Sequence, residues 1–215
     1  LLAIALFLYR RGSLRGGFLL TGILTFFVYD AASLAFGTAF NQLFLVYTAF
    51  FAVSLFALVN ALLSVDYSAL PQRILPRMPQ RRLTAFFLII GPILILVWLS
   101  DLIPVLLQGE VPALLATYST MVTYVLDLGV IAPALLITGL LLRRRDSLGY
   151  PLAFALLALC TLIGVVVISQ TLVQMSLGIF LPPGQLIGFV GSFVVMGIFA
   201  VWLMALMLMN LIDRV

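Results

Sequence analysis

The chain has no histidine, no lysine and one cysteine, and only 8% of its 215 residues are charged. Each shortage removes a class of function. Without His there is no imidazole to hold haem or zinc, and the commonest general base near neutral pH is missing. Without Lys no retinal Schiff base can form, so a seven-helix light-driven pigment is excluded. The lone Cys160 lies inside an apolar run, which leaves neither a disulfide framework nor a paired-thiol metal site. The charged fraction is far below the roughly 25% usual for a soluble globular domain, and soluble readings fail with it. No cofactor, catalytic set or metal site is expected. Nucleic acid is not an expected partner, because its binding takes a basic patch with a fold to present it.

What the chain has instead is apolar length: 65% of its residues are hydrophobic. Six runs of helical length are predicted to span a bilayer, at 17–36, 43–64, 84–107, 113–142, 149–177 and 185–213. Before them, residues 1–9 are apolar and are followed at once by Arg10 and Arg11. Nine residues rise only about 14 Å as helix against a hydrocarbon core of about 30 Å, so this run is expected to be the second half of a first span. The predicted fold is therefore an all-α transmembrane bundle of seven spans, the first incomplete, forming a single domain over 1–215.

All eleven basic residues are Arg, at Arg10, Arg11, Arg15, Arg73, Arg77, Arg81, Arg82, Arg143, Arg144, Arg145 and Arg214. They fall in alternate connections, while 36–42, 108–112 and 179–185 carry none. An excess of Arg in short loops marks the cytoplasmic face, which predicts the amino terminus outside and the carboxyl terminus inside. The longest connection, 65–83, holds three prolines that forbid a continuous helix. Its apolar and Arg residues interleave as suits a segment lying on an anionic leaflet. The strings RRGSLRGGFLL and RRRDSLGYPLAF also resemble each other, a hint of a 3+1+3 parallel repeat over 1–64 and 113–215.

Ionisable side chains inside the hydrocarbon are costly and are functional candidates by default. There are three, Asp30, Asp101 and Asp127. Counting about 1.5 Å per residue from the cytoplasmic ends places them about 20, 25 and 22 Å up, all in the outer half of the bilayer. Tyr29 and Ser33 flank Asp30; Thr117, Thr120, Tyr124 and Asp127 follow helical spacing; Gln170 and Gln174 are four apart with Ser169 beside them. Such stripes are expected to face other helices. The predicted ligand- or cation-binding set is Asp127, Asp30, Asp101, Tyr124, Tyr29, Thr120, Gln170 and Gln174, gathered in an outward-facing acidic pocket. Pro133 and Pro104 have no amide hydrogen for the carbonyls of Gly129 and Ser100, and acceptors freed beside a carboxylate suit a small cation. Gly184, Gly188 and Ser192 read as a small-residue packing face, and Tyr47, Tyr118 and Tyr150 as interfacial belts.

The strings RRGSLRG, FGTAFNQLFLVY, LDLGVIAP and LLRRRDSLGY resemble a family of bacterial multi-pass membrane proteins. The resemblance implies an inner-membrane location and brings no activity or site residues with it. Three functions then compete. The first is binding or transport of a proton, small cation or cationic small molecule through the acidic pocket. The second is an accessory or sensory subunit, alone as a homo-oligomer or with a partner subunit, that presents its Arg loops while the acids only hold helices together. The third is an intramembrane aspartyl-type hydrolase, supported by Tyr29–Asp30 and weakened by Leu126–Asp127–Leu128–Gly129, which is not the Gly-x-Gly-Asp partner such enzymes use. An enzyme ranks last.

Overall fold

The computed structural model describes residues 1–111, 115, 120–178, 184 and 186–213, with the side chain of Phe189 set aside. Within them the architecture is helical, and the only β contact is an isolated bridge between Ile74 and Leu211. Helix α1 (Leu2–Arg10) ends at Gly12, whose φ of 75° is left-handed and suits glycine. Ser13 then caps α2 (Leu14–Gly37) by accepting the Gly16 N–H at 3.0 Å. The turn is tight enough that a Cβ on Gly16 would lie 2.6 Å from the Tyr9 backbone nitrogen, so this hairpin requires glycine there. After α3 (Phe44–Leu63), a 3-10 turn at Leu70–Arg73 leads to α4 (Gln80–Gln108).

A short α5 (Val122–Leu126) runs into a π turn (Asp127–Ile131) and on into α6 (Ala132–Arg143). Helix α7 (Gly149–Ser176) follows, and a second π turn (Leu186–Val190) opens α8 (Gly191–Met209). Six of these helical runs are long and apolar enough to cross a membrane: Leu14–Gly37, Phe44–Leu63, Gln80–Gln108, Val122–Arg143, Gly149–Ser176 and Leu186–Met209. They match the six complete spans expected from sequence. Helix α1, at nine residues, is not among them.

Two boundaries moved for physical reasons. Helix α4 begins at Gln80 rather than 84, taking Arg81 and Arg82 into its first turn, where long basic side chains keep their heads wet while their stems cover apolar surface. Pro104 lies inside α4 and does not end it. The fifth span was expected from 113, yet Thr120 and Met121 are not helical and the helix starts at Val122. Thr has low helix propensity because its branched Cβ loses rotamer freedom in a helix, which fits Thr120 lying outside it. Thr117, Tyr118 and the expected start at Ala113 lie outside the described residues, as do Gln185, Pro183 and Arg214.

Helix α7 is the centre of the bundle, packed on α2, α6 and α8. Its Phe154, Leu157 and Leu159 are fully buried, and Phe154 meets Phe18 of α2 edge to face at 5.6 Å. Helices α7 and α8 cross closely: a Cβ on Gly164 would lie 3.1 Å from the Phe193 carbonyl, and one on Gly197 3.5 Å from the Cys160 carbonyl. This is the small-residue contact of α8. Gly184 and Gly188, expected in that role, have nothing among the described residues within 4 Å of a built Cβ.

The Arg-bearing segments meet at one end of the bundle. Ser13 donates to Asp213 Oδ1 at 3.0 Å, and the Arg15 side chain donates to the Leu211 carbonyl at 2.9 Å while its Nε lies 3.7 Å from Asp213. Leu75 N–H donates to the Asn210 carbonyl and Ile212 N–H to that of Arg73. Gln80 donates to the Leu142 carbonyl and accepts the Tyr150 hydroxyl at 2.9 Å. Tyr150 is thus buried inside this end rather than standing in an aromatic belt.

Candidate functional site

Asp127 opens the π turn between α5 and α6 and is 3% exposed. A π turn inserts one residue relative to α geometry and often marks a functional position. Here the Ala132 N–H reaches the Asp127 carbonyl five residues back, just before Pro133, which can donate nothing. That register aims the carboxylate between two other helices. The Tyr29 hydroxyl on α2 donates to Oδ1 at 2.9 Å, and the indole Nε1–H of Trp98 on α4 donates to Oδ2 at 2.9 Å.

The network continues through Trp98. Tyr124 lies over the indole with ring centroids 4.1 Å apart at 32°, and its hydroxyl donates to Asp101 Oδ2 at 2.6 Å. Phe193 of α8 closes another side, 6.3 Å from the indole. Four of the eight residues expected from sequence, Asp127, Tyr29, Tyr124 and Asp101, therefore belong to one connected assembly from three helical segments. It runs from the buried Asp127 to the exposed Asp101.

The other four do not join it among the described residues. Asp30 is half-buried beside Tyr29 and makes no hydrogen bond there. Thr120, Gln170 and Gln174 are exposed, and Thr120 lies before the helix rather than on a stripe with Tyr124. Nor does Asp127 line either of two clefts at the Arg-bearing end. Trp98 was missed because an indole reads as apolar. The signal was available: a buried Trp N–H nearly always finds an acceptor, and Trp98 stands three residues before Asp101 on one helix face.

The electrostatics of Asp127 follow from its partners, which are all neutral. Among the described residues the only ion pair is Arg15–Asp213, at the other end of the molecule. Hydrogen bonds to a charged group contribute about 1.5–3 kcal/mol each, whereas removing a carboxylate from water costs several kcal/mol even after relaxation. Two neutral donors orient the group, and among the described residues its charge has no counterpart. Among the described residues no three of His, Cys, Asp and Glu gather as a metal site. Comparison of the chain with protein-family models, with curated proteins and with solved structures finds no match. Any functional reading rests on the residues themselves.

Proposed function

We propose that this protein binds or transports a proton, small cation or cationic small molecule across a bacterial inner membrane, with Asp127 as the binding carboxylate. The observation that carries the reading is a buried carboxylate whose two oxygens are aimed by Tyr29 and Trp98 but which has no cationic partner among the described residues. A proton or cation is what restores neutrality at such a site. The contacts from Asp127 through Trp98 and Tyr124 to exposed Asp101 give the outer approach, with Asp30 beside Tyr29 as a further acid. The proposal includes seven spans, the amino terminus outside and the Arg-bearing end in the cytoplasm.

A second reading is favoured by the same bonds: Tyr29, Trp98 and Asp127 join three helical segments, as an acid in a purely structural or accessory subunit would. The readings separate by ligand response. Purified protein is heated across pH 5 to 9 with sodium, potassium and a quaternary ammonium salt, as wild type and as Asp127→Asn. Binding at about a hundred times the dissociation constant stabilises by roughly 2.7 kcal/mol. We expect at least one of these, or the proton itself, to stabilise wild type and not the variant. Equal responses in both proteins, with Asp127→Asn simply less stable, favour the structural role.

A further inference from the structure

A cleft of about 200 Å³ opens at the Arg-bearing end, between the α1–α2 hairpin, the end of α3 and the 3-10 turn. Its walls divide by chemistry. Leu14 and Val65, both partly exposed, form the apolar side over the buried Phe18 and Leu70, and Ser13, Ser64 and Arg73 the polar one. Arg73 is the unusual member. Its Nε is buried with no hydrogen-bond acceptor, and among the described residues its guanidinium has no carboxylate within ion-pair distance. An unsatisfied buried N–H costs about 1–3 kcal/mol and more on a charged group, so such a group in a native fold calls for a bound partner.

Among the described residues no neighbour hydrogen-bonds that Nε. Asp66, also at the cleft, turns its Oδ1 onto its own loop, accepting from the Ser68 N–H at 3.0 Å, the Ser68 hydroxyl at 2.6 Å and the Ala69 N–H at 3.1 Å. Those bonds, the Ser68 hydroxyl first, hold its carboxyl below the usual range, with the Arg73 charge as the smallest contribution; Asp66 therefore feels Arg73 across the cleft without bonding it. The hydroxyl of Ser13 is used by Asp213 and that of Ser64 by the Ala61 carbonyl. Tyr9, whose hydroxyl has no hydrogen-bond partner among the described residues, lines the same cleft. The site thus offers a guanidinium fork and a phenol to an anion, beside an apolar wall at the end of the spans.

We infer that this cleft binds a phosphate ester, held by Arg73, with the headgroup of an anionic phospholipid as its occupant. Guanidinium and phosphate match in planar, two-point geometry, and the partly exposed Leu14 and Val65 beside the charge suit the glycerol and upper acyl chain of a lipid. Basic residues at a membrane surface draw anionic headgroups in any case; the unsatisfied Nε and a place in the cleft lining give Arg73 a role that the exposed Arg77 on the same loop lacks. The inference is independent of Asp127.

The test uses the full chain in nanodiscs and native mass spectrometry. Wild type is moved from phosphatidylcholine to phosphatidylcholine with phosphatidylglycerol, then released and weighed, alongside Arg73→Gln and Arg77→Gln, which remove the same charge. Wild type and Arg77→Gln should retain one phosphatidylglycerol, and Arg73→Gln should hold it about tenfold or more weakly. Arg73→Lys, which keeps the charge and loses the fork and the Nε, should fall between them and serves if Arg73→Gln does not fold. A parallel arm offers glycerol phosphate and inorganic phosphate in neutral detergent. If these bind with the same dependence on Arg73 and the lipid does not, the phosphate site stands and its occupant is soluble. Equal retention by the Arg73 and Arg77 variants, or no preference for any phosphate ester over phosphatidylcholine, overturns it.

Discussion

Asp127 and Tyr29 share a bond whose strength depends on the charge at one end. A hydroxyl facing a carboxylate contributes about 1.5–3 kcal/mol, and facing a neutral amide about 1 kcal/mol. Tyr29→Phe should therefore destabilise wild type by about 2 kcal/mol and the Asp127→Asn protein by clearly less. Unfolding in mixed micelles, read as a double-mutant cycle, measures that difference; a coupling near zero would show that the hydroxyl and the carboxylate do not interact. At this scale the sequence was informative where polarity is conspicuous. Acids and tyrosines within apolar runs stood out, and four of them fall in one network. Counting residues along a helix yields height but little about azimuth, and so Gln170 and Gln174 were grouped with Asp127 although both are exposed. Trp98 was hidden for the opposite reason, one N–H on a large apolar body.

Helix pairs hold the site in place, and one of them is α7 against α8. The crossing at Gly164 and Gly197 leaves 3.1 Å between a built Cβ and the Phe193 carbonyl, which is backbone and cannot step aside cheaply. Phe193 itself packs on Trp98, so spreading these helices disturbs the wall behind Asp127. Gly164→Val should destabilise the protein by about 1–3 kcal/mol. Gly188→Ala, with nothing within 4 Å, should change stability by less than about 1 kcal/mol. Thermal unfolding of both variants checks the pair, and the reverse order would return the packing face to Gly184 and Gly188. The elements were mostly legible because hydrophobic length defines a span with little help from neighbours. The start of the fifth was not, since apolar content continues upstream of Val122 although Thr120 and Met121 are not helical. The π turn was foreshadowed only by Pro133.

Across the whole molecule, charge and polarity are segregated to opposite ends. The residues around the start of α2, the 3-10 turn and the residues after α8 interlock around Arg15, Arg73 and Asp213, and the start of α4 is tied to α6 and α7 through Gln80, whereas Asp101 and Tyr124 stand near the far ends of their helices. The Arg pattern announced this end from sequence alone, because insertion rules act on loops before any fold forms. Single cysteines at Gln72 and Thr38 in a Cys160→Ala background test its orientation in intact cells. Thr38 should react with an impermeant maleimide and Gln72 should not; labelling of Gln72 would invert the topology. Cys160, 2% exposed, contributes no background even where it is retained.

The claim on which the functional account turns is that the Asp127 carboxyl takes up and releases a proton or cation. Infrared difference spectroscopy reads that group directly in lipid-reconstituted protein, by comparing spectra before and after a pH step or cation addition between pH 5 and 9. The account predicts a carboxyl or carboxylate band that changes in wild type, disappears in Asp127→Asn and is shifted in Trp98→Phe, which removes the donor to Oδ2. Identical difference spectra for wild type and Asp127→Asn under every condition would contradict it.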